Sequence, residues 1–186
     1  MNKKLAMFRD RDREPKDVGS VLFVDPGLEG TGWAMFYGLN TKPAAAIVPT
    51  AADVIRVRPT EYEDGWIGHA AAIIALFRGI LAAMKPSTVV LEMPQLWSGN
   101  AKSAASAAGG EGETGDLFKL AYLVGGMGET ANGLCGSLPI LILPYEWKGQ
   151  LSKEMVAERV ERLIGKIPKD HAADAIGMGM AAQGGL

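Results

Sequence analysis

The segment Ser20-Val21-Leu22-Phe23-Val24-Asp25 runs directly into Pro26-Gly27, and no other feature of the chain constrains the fold as much. A short apolar run, β-branched at Val21 and Val24 and closed by a turn pair, predicts a buried strand. It leaves one carboxylate, Asp25, at the strand's carboxyl end. A Gly-rich turn follows, Gly27-Leu28-Glu29-Gly30, and Thr31 to Tyr37 reads as a second strand, so the two form a hairpin.

The remaining elements follow from periodicity. Residues 45 to 58 suit a third strand, around Ala45-Val48 or Val54-Val57. Tyr62 to Met84 has helical spacing in Ile67, Ala71, Ile74, Phe77, Leu81 and Met84, and Lys85-Pro86-Ser87 breaks it. Thr88 to Leu91 is another buried strand, terminated by Glu92-Met93-Pro94. Ser98 to Gly115 is rich in Gly, Ala and Ser and reads as a flexible loop. Asp116 to Asn132 is helical, Pro139 to Leu143 is a strand, and Ser152 caps a helix that runs to Ile164. Asp170 to Ala182 is a last helix. The order β-β-β-α-β-α-β-α-α predicts an α/β fold, a mixed sheet covered by helices.

The 186 residues suffice for one domain with a real core, and two would be cramped. Residues 1–18 mix Lys3, Lys4, Arg9, Arg11, Arg13 and Lys16 with Asp10, Asp12, Glu14 and Asp17, and read as a flexible arm before a single domain at 19–186. No apolar run is expected to reach the roughly 18 to 20 residues that span a bilayer. The first 20 residues lack the apolar region of a secretory signal. The single cysteine, Cys135, excludes a disulfide framework and a four-Cys zinc site, and fits a reducing cytoplasm. The net charge of -2 argues mildly against a nucleic-acid binder. That argument weakens if acidic side chains hold cations, which reverse the local field.

The carboxylates fall in a pattern. Asp25 ends the first strand and Glu92 ends the fourth, and in open α/β sheets ligands gather at the carboxyl ends of strands. The last helix opens Asp170-His171-Ala172-Ala173-Asp174, which puts His171 and Asp174 on one face, as it does Asp170 and Asp174. Singly, Asp25 is a turn residue, Asp170 an N-cap, Glu92 a solvated strand end and His171 a surface residue. Together, and at these element ends, they suggest a metal site. Converging carboxylates repel unless a cation joins them, and oxygen donors favour Mg²⁺ or Mn²⁺ over zinc.

These residues resemble the RuvC family of Holliday-junction resolvases, within the RNase H-like superfamily, over nearly the whole chain after the arm. Phe23-Val24-Asp25-Pro26-Gly27 with Thr31-Gly32-Trp33-Ala34 looks like the family's first-strand motif, and Leu91-Glu92 like its second acidic position. Lys148-Gly149 and Ser152-Lys153-Glu154 are similar to the segment that carries DNA-contacting lysines. His171-Ala172-Ala173-Asp174-Ala175 looks like the closing motif, with ligands at i and i+3. Met93 to Trp97 and the longer loop at 98–115 depart from the family pattern, as in divergent phage-type members.

The resemblance implies an RNase H-like fold with a five-stranded sheet, antiparallel over the first three strands and then parallel. It implies the ligand set Asp25, Glu92, His171 and Asp174, with Asp170 in second rank, holding two Mg²⁺ or Mn²⁺ ions. It also implies a homodimer that cleaves branched DNA by phosphodiester hydrolysis. His171 either ligates metal or positions the nucleophile. Lys102, Lys148 and Lys153 are candidate phosphate contacts, a base could stack near Trp147, and Trp97 is either a junction wedge or a core residue. The helix from Asp116, with Leu117, Leu120, Ala121, Val124 and Met127, offers a face to a partner or to the core. The rival functions are a nuclease acting on structured RNA or flaps, a non-catalytic branched-DNA binder, and an actin-like or sugar-kinase phosphotransferase. The last is disfavoured by a chain too short for two lobes.

Overall fold

The computed structural model describes residues 19–39, 48–58, 65–94, 113–165 and 171–185. Its elements are β1 (Ser20–Asp25), β2 (Thr31–Tyr37), β3 (Ala51–Ile55), α1 (Gly65–Met84), β4 (Thr88–Glu92), α2 (Glu113–Cys135), β5 (Ile140–Ile142), α3 (Pro144–Trp147), α4 (Lys153–Ile164) and α5 (His171–Gln183). The strands form one sheet in the order β3-β2-β1-β4-β5. β1 pairs antiparallel with β2, and β2 with β3, while β1–β4 and β4–β5 are parallel. This is the mixed α/β sheet expected from the sequence.

β1 lies at the centre, and its side chains alternate between two cores. Val21 and Phe23 face one side with Ala34, Phe36, Val90 and Ile142, under α4 and α5. Leu22 and Val24 face the other with Trp33, Met35, Val89 and Leu91, under α1 and α2. A strand covered on both faces has to be apolar at every position, which is why β1 shows a continuous run rather than alternation. Phe23 meets Phe36 edge to face, with ring centroids 5.5 Å apart.

Several boundaries differ from the sequence reading. The third strand lies within the expected 45–58 and shares Val54 and Ile55 with the second of its two candidate segments, but its pairing with Thr31–Met35 begins earlier, at Ala51. As an edge strand it is only half-covered, so it carries no strong apolar run to mark it. Residues 45–47 lie outside the described residues, as do 62–64 ahead of α1. α2 starts at Glu113, inside the stretch read as loop, and runs three residues past Asn132. Gly136, with φ of +70°, stops it by donating its N–H to the Asn132 carbonyl. Ser152 caps α4 as expected, accepting from the Met155 N–H at 3.3 Å. The short α3 was not foreseen: Pro144 starts it, and the Glu146 carboxylate accepts from the Leu143 N–H at 2.7 Å.

By length and composition α1 could cross a bilayer, although His69 and Arg78 interrupt its apolar run. His69, Ala70, Ile73, Phe77 and Leu81 are buried along one side of it. On α2, Val124 and Met127 belong to the core, together with Leu123 and Ala131. The large apolar side chains that α2 exposes are Phe118, Tyr122 and Leu134 instead.

One close approach controls the architecture around Asp25. Gly32 of β2 is the register partner of Asp25. A Cβ on Gly32 would stand 2.0 Å from the backbone oxygen of His171, the first residue of α5. Neither backbone can give way, so Gly32→Ala is expected to cost about 3 kcal/mol or more. Gly125→Ala, at a helical position with nothing near the added carbon, is expected to be neutral or stabilising by up to about 1 kcal/mol. Urea denaturation of both variants measures the contrast.

Candidate active site

Parallel pairing of β1 with β4 matches Val24 with Leu91, so the next residues, Asp25 and Glu92, leave the sheet side by side at its carboxyl end. α5 enters the same place because its first residue seats on Gly32. His171 is also cradled by the β1–β2 turn: a Cβ on Gly27 would lie 2.7 Å from its Cε1, and one on Gly30 would lie 3.4 Å from its Cδ2. The turn is itself held. The Thr31 hydroxyl donates to the Gly27 carbonyl at 3.0 Å, and His69 Nε2 of α1 bonds the Leu28 carbonyl at 2.7 Å. So placed, His171 Nδ1 lies 2.5 Å from Asp25 Oδ2. Asp174, one turn further along α5, is buried.

Glu92 is fixed from the other side. β5 runs beside β4, and Met93 donates its N–H to the Ile142 carbonyl at 2.7 Å. That pairing brings α3 against Glu92, and Trp147 donates its indole N–H to Glu92 Oε2 at 2.7 Å. The ammonium of Lys148 lies 5.2 Å from the centre of the Trp147 ring. Lys153 Nζ, at the start of α4, is 3.8 Å from Asp174 Oδ2.

The electrostatics reflect crowding. Burial, reinforced by the charge of Asp25, pushes Glu92 up to about 8, against the pull of Lys148 and the Trp147 N–H. Burial and then Asp25 likewise raise Asp174, while Lys148, Lys153 and His171 oppose the shift. His171 is raised chiefly by its hydrogen bond to Asp25, which favours the imidazolium. Among the described residues, no three His, Cys, Asp or Glu side chains close around a single point tightly enough to enclose an ion as they stand. Each is engaged elsewhere: Asp25 with His171, Glu92 with Trp147, and Asp174 Oδ2 with Lys153. Asp174 Oδ1 is the exception, buried with no hydrogen-bond partner among the described residues.

The four expected ligands therefore meet at one end of the sheet, with Lys148 and Lys153 beside them. Asp170, Trp97 and Lys102 lie outside the described residues. The expectation of a base stacking near Trp147 is overturned, because the ring is buried in the core with Val156 and Ile176. The Trp147–Glu92 bond and the glycine cradle went unseen in the sequence. The spacing Gly27, Gly30, Gly32 was visible, but it read only as a turn.

The three upward shifts share one consequence. The folded protein holds more protons than the unfolded chain wherever a raised group has titrated only in the unfolded state, so stability falls as pH rises. For Glu92 this window runs from its ordinary 4.5 to about 8. With chelator present, the Tm is expected to fall between about pH 5 and about pH 8, and Glu92→Gln is expected to flatten the slope. A wild-type Tm that rises across this interval contradicts the crowding described here.

No family profile matches this chain, and no curated protein sequence is detectably similar to it. Solved structures are similar in fold. RuvC from Thermus thermophilus in complex with a Holliday junction substrate superposes with a TM-score of 0.62 at 19% identity, over 88% of this chain and 91% of that one. Another structure of Thermus thermophilus RuvC gives a TM-score of 0.59 at 20% identity, over 87% and 92%. The yeast mitochondrial Holliday junction resolvase gives 0.54 at 16% identity, over 97% and 86%. The chain thus has the RuvC-like form of the RNase H-like fold.

Proposed function

We propose that the protein is a divalent-metal-dependent endonuclease that cleaves four-way or otherwise branched DNA. The observation that carries this reading is the buried Oδ1 of Asp174, which has no hydrogen-bond partner among the described residues, beside two further carboxylates. Leaving a buried acceptor unsatisfied costs about 1–3 kcal/mol, more when it is charged. A cation would offset that cost and also the burial and the Asp25 charge that together raise Glu92 and Asp174. The donor set of Asp25, Glu92 and Asp174 is rich in hard oxygen and fits Mg²⁺ or Mn²⁺, two ions in each site. When bound, such ions would supply Lewis-acid stabilisation of the charge that develops on the scissile phosphate.

The chain's own residues divide the remaining work. Asp25, Glu92 and Asp174 would hold the ions. His171 either joins them through a neutral imidazole or keeps its bond to Asp25 and orients the attacking water. Water oxygen adds to phosphorus and the P–O3′ bond breaks, leaving a 5′-phosphate and a 3′-hydroxyl. Lys148 and Lys153, beside the carboxylates, would bind the flanking phosphates. The branched substrate is suggested by the RuvC-like fold, since one of the similar structures is a complex with a Holliday junction. We further propose a cytoplasmic homodimer that presents two sites to symmetrically related strands. The exposed Trp66, Ile67, Phe118 and Tyr122 on α1 and α2 support pairing.

Labelled four-way junction, flap, linear duplex and RNA hairpin, each with Mg²⁺, Mn²⁺ or chelator, test the activity. The junction is expected to be cut only with metal, and Asp25→Asn is expected to abolish cleavage while junction binding persists. Faster cutting of the hairpin or flap would reassign the substrate, and cutting in chelator would overturn the metal requirement. Lys148→Ala and Lys153→Ala are each expected to weaken junction binding uniformly across sequences, and to lower the slope of log affinity against log salt by about 1. Fluorescence anisotropy at several salt concentrations reads this out.

A further inference from the structure

We propose that Trp147 is the positioning residue for Glu92, holding one carboxylate oxygen so that the other is presented to the metal site. The proposal rests on the metal-dependent reading above. Three observations place the indole in this role. Its N–H bonds Glu92 Oε2 at 2.7 Å, in a buried setting where that N–H needs an acceptor. Its far edge packs on α5 where only glycine fits: a Cβ on Gly177 would lie 2.9 Å from Trp147 Cζ3. Its ring also carries the Lys148 ammonium, whose charge acts on both Glu92 and Asp174.

Gly177 lies three residues after Asp174, on the same side of α5. The indole therefore spans the gap between the strand that carries Glu92 and the helix that carries Asp174. Both ends of the ring are pinned, one by a hydrogen bond and one by packing. Glutamate has three side-chain torsions, and burial alone does not choose among its rotamers. A donor at a fixed point does, and it does so without competing for the second oxygen. An indole is suited to the task because it can only donate and carries no charge of its own to oppose a cation. Partners of this kind, one step behind a metal ligand, typically change metal affinity or activity by about 10- to 100-fold when removed.

Trp147→Phe keeps an aromatic ring and removes the N–H. It is expected to weaken Mn²⁺ binding about tenfold or more, measured by the electron paramagnetic resonance of free Mn²⁺. Cleavage at low metal should fall in parallel, with recovery at high metal, and metal-free junction binding should stay unchanged. In the wild type, the Trp147 indole ¹H–¹⁵N resonance, assigned by its loss in Trp147→Phe, is expected to move in Glu92→Ala and on adding Mg²⁺. Unchanged Mn²⁺ affinity in a folded Trp147→Phe overturns the proposal. If that variant does not fold, loss of the peak no longer assigns it, and triple-resonance assignment of wild type does so instead. An indole resonance indifferent to Glu92→Ala then overturns the proposal. If Asp25→Asn and Glu92→Gln leave Mn²⁺ binding unaltered, the metal-site reading itself fails, whatever Trp147 does.

Discussion

The backbone of α5 touches the backbone of β2 at a point where a hydrogen atom is the largest group that fits. That contact, between Gly32 and the carbonyl of His171, lies at the rung of the sheet occupied by Asp25. The part of the site that α5 supplies depends on it. It sets the height at which α5 crosses the sheet, and so brings His171 onto Asp25 and buries Asp174 a turn later. Gly177 and Gly179 continue the same close packing along the helix, against Trp147 and Phe36. Two interior glycines, Gly177 and Gly179, weaken this helix on its own by about 1 kcal/mol each relative to alanine. Here it is stabilised by burial, since every residue from Ala172 to Ala182 is buried.

The same closeness makes the site electrostatically expensive. Three carboxylates share a largely buried space, and the protein offsets their repulsion with what it has. The bond to Asp25 favours the imidazolium of His171, Glu92 is shifted to about 8, and Lys148 and Lys153 act on the carboxylates from the end of α3 and the start of α4. Protons and lysines are weak substitutes for a divalent ion, and one buried oxygen of Asp174 has no hydrogen-bond partner among the described residues. Titratable groups shifted this far by burial and by one another are the physical basis of the metal site proposed above.

The fold was legible because its strongest signals are local. The run Val21 to Asp25, the break at Lys85-Pro86 and the cap at Ser152 each report on their immediate neighbours, and the order of elements along the chain follows from them. β3 was harder, because an edge strand covered on one side carries little apolar patterning. α3 is too short to have a period. Among the site residues, Asp25 and Glu92 could be found because strand ends are where ligands gather, and His171 with Asp174 because helical spacing places them together. Trp147 could not be found that way. It lies 55 residues from Glu92, and only the pairing of β4 with β5 joins them. An aromatic residue beside a lysine reads as a surface feature until the sheet is assembled.

The central claim is that Asp25, Glu92 and Asp174 form one divalent-metal site. A crystal soaked in Mn²⁺ and measured for anomalous scattering tests it most directly. The account predicts anomalous peaks among these three carboxylates, with Asp174 Oδ1 bound and the Lys153–Asp174 contact opened. Crystals that show no peak there at saturating Mn²⁺, with His171 still on Asp25 and Lys153 still on Asp174, would contradict it.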